Sequence, residues 1–307
     1  GHSGAMYEYV STLKDKALRR RVIAAAESIS MRAKNVRDTG ELVESCKMLI
    51  TRAVNGSGNR NRIGLSAAKI GEAYNSTHTV DSFLPFHYKR LNEILYGKGR
   101  GSLTIWGGYS SDGKTTEGIA SALSASYAGF SASIYSLEMT EREIVCRILG
   151  METGINQIKI RNRDLTLEES GEIEAAIDRL QKLSLNIYHD SSLTPTQIVE
   201  MQYRNRSDLM VIDYLQRFDF TDWKEIPAMA KMFKNLAMNT ECCVDLLSQV
   251  NPAQVRFGDN PYPAPNLGSL YGGKATAHEA DNVVFIYANR SGEHWRRNGT
   301  GEVICSK

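Results

Sequence analysis

Two sets of residues in this chain have types and spacing suited to chemistry on a phosphate. The first is Gly108-Tyr109-Ser110-Ser111-Asp112-Gly113-Lys114-Thr115, followed by Thr116, which fits the pattern G-x-x-x-x-G-K-[ST] at every fixed position. Glycines let backbone N–H groups turn inward around phosphate oxygens, and a helix starting at the loop's end adds the favourable end of its dipole. Gly108, Ser110, Ser111, Asp112, Gly113, Lys114, Thr115 and Thr116 are therefore the expected cradle of a nucleoside triphosphate. Lys114 would reach the β- and γ-phosphates, and the Thr115 hydroxyl would hold Mg²⁺. The second set consists of polar residues that close apolar runs. Glu138 ends Ala132-Ser133-Ile134-Tyr135-Ser136-Leu137, Asp213 ends Leu209-Met210-Val211-Ile212, and Gln249 ends Val244-Asp245-Leu246-Leu247-Ser248. Beside a triphosphate, Glu138 is placed to deprotonate an attacking water and Asp213 to be the second Mg²⁺ carboxylate. Gln249 could hydrogen-bond the γ-phosphate. Glu138 also has a plain reading as a helix-start residue and Gln249 as a turn residue.

These positions need strands to carry them. Ser102-Leu103-Thr104-Ile105-Trp106 reads as the strand before the loop, and Glu117 to Tyr127 as the helix after it. Helices are expected from Thr140, over Glu168 to Leu183, over Thr194 to Arg206 and over Pro227 to Met238. Short strands are expected at Leu185 to Tyr188 and Asn282 to Tyr287. Strands alternating with helices predict an α/β fold, a RecA-like P-loop NTPase with a mostly parallel central sheet and helices on both faces. The stretch from Pro252 to Gly273, with several prolines and glycines and no period, predicts a mobile loop.

Ahead of this domain, residues 1–5 read as a tag remnant and residues 6–54 as N-terminal helices with a basic face that includes Arg19-Arg20-Arg21. That face fits either a solvated surface or a contact for a partner. Residues 55–80 read as a flexible linker around Asn55-Gly56-Ser57-Gly58, leaving 81–307 for the catalytic domain. With 37 basic against 35 acidic residues, any nucleic-acid contact must come from local patches. Five scattered cysteines without a C-x-x-C pair argue against a disulfide framework and a structural zinc site. No apolar run approaches a membrane span.

Taken together, the phosphate loop, Ser136-Leu137-Glu138-Met139, Ile160-Arg161, Leu193-Thr194-Pro195-Thr196, Val211-Ile212-Asp213-Tyr214-Leu215-Gln216, Leu247-Ser248-Gln249 and Glu279-Ala280-Asp281 resemble the DnaB-like replicative DNA helicases of bacteria and phages. The resemblance implies a ring, hexameric in that family, that encircles single-stranded DNA and translocates by hydrolysing ATP with Mg²⁺ at subunit interfaces. It implies catalytic roles for Lys114, Glu138 and Gln249, metal roles for Thr115 and Asp213, and a primase or helicase loader as further partner. It also implies cytoplasmic residence in a bacterial cell or phage-infected host. Where the family carries an Arg-Glu-Ser-Gly-like DNA loop, this chain reads Tyr271-Gly272-Gly273-Lys274. Gly272, Gly273, Lys274 and Arg256 are then the expected DNA contacts, with Tyr262 and Tyr271 as stacking or packing residues. The family's Lys-x-Arg strand ends here on Lys307, which reads as a C-terminally truncated domain. Two alternatives follow: an ATP- and DNA-binding ring subunit with little hydrolysis, or a recombination-type ATPase.

Overall fold

The computed structural model describes residues 83–218, 225–251, 262–291 and 296–307, together with scattered helical positions between residues 19 and 49. The chain divides into two units, residues 1–77 and 78–307. In the first, Ala25–Ser30, Cys46 and Leu49 are helical, as the N-terminal periodicity predicts. The expected linker around Asn55 to Asn61 lies outside the described residues.

The second unit is built on a seven-stranded sheet in the order β5-β4-β6-β7-β3-β8-β9. Its strands are β3 Leu103–Gly108, β4 Ala132–Ser136, β5 Leu185–His189, β6 Leu209–Asp213, β7 Cys243–Gln249, β8 Asn282–Ser291 and β9 Arg296–Cys305. All neighbours pair in parallel except β8 and β9, which form an antiparallel hairpin. Every residue of β3, β4 and β6 is buried, the condition of a parallel strand covered on both faces. Side-chain alternation divides each strand between two cores. Ile105, Met210, Ile212, Leu246 and Phe285 face one, with α6 Pro195–Asn205, α7 Glu225–Thr240 and α8 Gly273–Glu279 over them. Trp106, Leu209, Val211, Leu247 and Val284 face the other, under α1 Lys89–Leu95, α2 Lys114–Tyr127 and α3 Glu141–Thr153. Gly118 lets α2 come close to this sheet, since a Cβ there would meet Val211 Cγ1 at 2.8 Å.

Local sequence explains several helix starts. Thr140, Thr166 and Thr194 each form a capping box, opening α3, α5 Leu167–Leu180 and α6, the last also with Pro195 at its first turn. Other elements went unread in the sequence: α1, α4 Gln157–Asn162, and the small hairpin of β1 Phe83–Leu84 with β2 Lys98–Gly99. The expected structureless loop to Gly273 is corrected over its described part. Leu267–Ser269 is a 3-10 turn, Leu270 bridges to Val250, and α8 begins at Gly273. Backbone pairing of this stretch to Val250 and Asn251, just past β7, holds it, and no local periodicity announces such non-local bonds.

Below α2, Lys98 forms an ion pair with Asp245 and donates to Ser121 Oγ at 2.6 Å, with both charged side chains fully buried. Removing one partner strands the other charge in a dry interior. Lys98→Met should cost about 3–5 kcal/mol in urea unfolding, with much of it recovered by adding Asp245→Leu. A single-mutant loss under about 1 kcal/mol would show that water reaches the site.

Candidate nucleotide-binding site

The order of the strands delivers the chemistry to one edge. At the C-terminal end of the sheet, Gly108 of β3 lies opposite Gln249 of β7, with β6 on the far side of β7 and β4 beyond β6. Ser136 of β4 is in register with Asp213 of β6, and Leu137 N–H donates to the Asp213 carbonyl at 2.8 Å. That pairing carries Glu138 two residues past the end of β4. Open α/β sheets bind ligands at this edge, where successive connections diverge.

A cleft of about 620 Å³ opens there, lined by Ser110, Ser111, Gly113, Lys114, Thr115 and Thr116 on one side and Glu138, Asp213 and Gln249 on the other. Nine of the expected site residues thus share one cavity. Gly113 adopts φ 100°, which only glycine takes without strain, and α2 starts on the next residue. The Lys114 ammonium donates to the carbonyls of Gly108 (3.1 Å) and Tyr109 (2.9 Å), which holds it across the mouth of the loop. Gly108 lies under that side chain: a Cβ there would meet Lys114 Cγ at 3.2 Å.

Asp213 is buried, and its Oδ2 has no hydrogen-bond partner among the described residues. Burial pushes its carboxyl up to about 6; the Thr115 hydroxyl works against that rise, and the nearby Glu138 charge adds to it. A buried carboxylate oxygen with nothing to accept from, beside a threonine hydroxyl, suits a hard divalent cation. The residues present fit Mg²⁺ with a triphosphate.

The same shift predicts a pH-dependent stability. The folded pKa of Asp213 lies above its unfolded value of 3.8, so the neutral acid is the form that folding favours. That contribution is complete below about pH 4 and is lost as pH rises through about 6. In metal-free buffer at pH 8, Asp213→Asn should therefore be the more stable protein, by on the order of 3 kcal/mol. The gap should fall to about half at pH 5. Urea unfolding at the two pH values checks this, and a less stable variant at pH 8 would contradict it.

Sequence reading missed several residues here. Gln216 accepts from Gln249 N–H at 3.0 Å and donates to Ser248 Oγ at 2.9 Å, fastening the end of β7. Arg147 of α3 and Gln157 and Arg161 of α4 also line the cleft. A helical face of mixed charge hides such residues in a linear reading. Asp112 is the departure within the loop: its side chain turns away from the cleft into a buried ion pair with Arg290 of β8. The expected DNA contacts lie apart from the cleft lining. Gly272 caps α8 at φ 77°, Gly273 opens the helix, and Lys274 is exposed in its first turn. Tyr262 and Tyr271 pack against the core. Arg256 lies outside the described residues. Lys307 donates to the carbonyls of Ala277 (3.2 Å), His278 (3.3 Å) and Ala280 (2.6 Å), closing the end of α8. No helix among the described residues is long and apolar enough to cross a membrane, and no cluster of three or more His, Cys, Asp or Glu forms among them.

A glycine loop between a buried strand and a helix, with acids at the ends of neighbouring parallel strands, defines a P-loop ATPase domain of the RecA-like kind. Residues 84–307 match the family model described as the DnaB-like helicase C terminal domain, and the chain belongs to that family. The replicative DNA helicase DnaB of Buchnera aphidicola subsp. Baizongia pistaciae is 27% identical over 327 residues, which cover 97% of this chain and 69% of the relative. The DnaB of Helicobacter pylori strain J99 is 22% identical, over 91% of this chain and 60% of its own. A probable plasmid replicative DNA helicase of Chlamydia trachomatis is 28% identical, over 80% and 56%. The chain thus spans roughly half to two thirds of the length of the curated relatives it matches. Among solved structures, the ATPase domain of G40P superposes with a TM-score of 0.68 at 22% identity, covering 78% of this chain and 89% of that one. A DnaB-like replicative helicase studied with primase superposes with a TM-score of 0.71 at 22% identity, covering 98% and 73%. Both likenesses support the fold.

Proposed function

We propose that this chain is a subunit of an ATP-dependent replicative DNA helicase, which assembles as a homo-oligomeric ring, hexameric by family resemblance, and translocates on single-stranded DNA. The observation that carries the reading is the buried Asp213 carboxylate beside Thr115, in one cleft with Lys114 and Glu138. Backbone N–H groups from Ser110 to Thr115 bind the phosphate oxygens, and Lys114 neutralises charge on the β- and γ-phosphates. Thr115 and Asp213 would hold Mg²⁺, which when bound neutralises charge developing on the phosphates. Glu138 orients the attacking water and takes its proton. Gln249 lines the cleft and precedes Val250, which bridges to Leu270 on the segment that leads to Lys274, so it would report hydrolysis to the DNA contact. Gly272 and Gly273 allow close backbone approach to a nucleic-acid strand, and Lys274 adds a sequence-independent charge. A primase or loader as partner, and action in the cytoplasm of a bacterium or phage-infected host, complete the proposal.

The test is strand displacement from a forked DNA duplex by assembled protein, with ATP hydrolysis followed in parallel. ATP-dependent unwinding that disappears in Glu138→Gln supports the reading. DNA-stimulated hydrolysis without unwinding by an assembled ring would reduce the protein to a translocating or clamping ATPase.

A further inference from the structure

The phosphate loop contains an acid, and an acid there opposes an anionic ligand. Asp112 stands next to Gly113, so its charge would repel the phosphates that the loop is built to hold. The fold neutralises it with a residue 178 positions later, Arg290 of β8. The ion pair is closed to water, with the Arg290 side chain 5% exposed and that of Asp112 0%. Arg290 Nη1 also donates to the Ala288 carbonyl at 2.9 Å, and Ala288 N–H donates to Asp112 Oδ2 at 3.4 Å.

The same guanidinium touches a third element. It lies 4.5 Å from the centre of the Tyr262 ring and 5.3 Å from that of Tyr109, and the two rings meet edge to face at 5.5 Å. Tyr109 donates its hydroxyl to the Pro263 carbonyl at 2.8 Å, and Tyr287 donates to the Tyr262 carbonyl at 2.9 Å. Tyr262 and Pro263 begin the stretch that ends at Gly272 and Lys274. Its other end is held by the Val250–Leu270 bridge and by Asn251 N–H on the Ser269 carbonyl at 2.7 Å. Val250 N–H in turn donates to the Gly108 carbonyl at 3.0 Å. Both ends of the stretch therefore hang on the phosphate loop or its strand. Buried ion pairs contribute little net stability over apolar replacements, so the contribution of this one lies in placement.

We propose that Asp112 and Arg290 are positioning residues that keep the phosphate loop electrostatically open to nucleotide and link it to the Tyr262–Lys274 stretch, so that nucleotide and single-stranded DNA binding are coupled through this contact. The inference rests on the nucleotide and DNA reading above. It assigns two separable effects to one pair: the charge of Arg290 cancels Asp112, and its contact with Tyr262 carries the coupling.

A double-mutant cycle separates them. The parent, Arg290→Gln, Asp112→Asn and the double variant are titrated with a non-hydrolysable ATP analogue, with and without an oligothymidylate strand. Thermal melting of each is followed alongside. Arg290→Gln should lose about tenfold or more in nucleotide affinity, because it exposes the phosphates to an uncancelled Asp112. The double variant, which buries no lone charge, should return to within about threefold of the parent. DNA should change nucleotide affinity about fivefold or more in the parent, and the ratio should fall near one in both Arg290 variants. Should Arg290→Gln not fold, the double variant alone reports the coupling. Unchanged affinity in a folded Arg290→Gln, or no rescue in the double variant, overturns the electrostatic assignment. A ratio retained in the double variant overturns the coupling while leaving the helicase reading intact. A parent ratio of one overturns the coupling together with the DNA reading.

Discussion

Replacing Lys114 by alanine should lower the affinity for a non-hydrolysable ATP analogue by about a hundredfold or more. The ammonium is nearly buried, and the Gly108 and Tyr109 carbonyls fix it at the mouth of the phosphate loop. At about 4 Å from a phosphate oxygen, a unit charge near a protein surface contributes roughly 4 kcal/mol, and no other side chain on the loop carries a positive charge. Removing it leaves the loop itself with only its backbone N–H groups and the helix end to bind several negative charges. The variant should still fold, since the Lys114 ammonium donates to carbonyls of its own loop and its side chain lines the open cleft. Calorimetric titration, with melting of the nucleotide-free protein as control, checks the result. Unchanged affinity in a folded variant would take the phosphates out of this loop.

Glu138→Gln should separate binding from chemistry. Glu138 is exposed at the end of β4, so the amide should change stability by less than about 0.5 kcal/mol. Nucleotide should bind as in the parent, because the cradle is untouched. Turnover should fall by about a hundredfold or more, because an amide cannot take the proton of the attacking water. The contrast with Asp213 is informative. Both are carboxylates on one cleft, yet the buried one should gain stability as an amide and the exposed one should gain none. Steady-state hydrolysis by assembled protein measures the effect. Turnover that survives within about fivefold would leave Glu138 as a helix-start residue and move the base elsewhere.

Much of this site is written in contiguous residues. The loop from Gly108 to Thr115 bends through its own glycines and supplies its own N–H groups, so its shape is a local property. Strands β3, β4, β6 and β7 are legible because parallel strands buried on both faces must be apolar throughout. An acid or amide that ends such a run must lie at the sheet's edge, which is how Glu138, Asp213 and Gln249 could be named before their neighbours were known. Capping boxes at Thr140, Thr166 and Thr194 satisfy helix-end N–H groups within four residues, and they too are local.

The resemblance to DnaB-like helicases was likewise carried by contiguous motifs, and the match over 84–307 bears it out. What the tertiary structure decided is everything whose partner lies far along the chain. The start of α8 at Gly273 depends on the Leu270 bridge to Val250, so composition alone suggested only a loop. The antiparallel return of β9 reflects its pairing with β8 and has no counterpart in its own residue pattern. Gln216 acquires its role from two residues of β7, more than thirty positions away. Asp112 is the sharpest case. By sequence it is one of the residues of a phosphate loop. In the fold its charge belongs to Arg290, because a buried carboxyl either loses its charge or meets a cation, and the cation here comes from far along the chain.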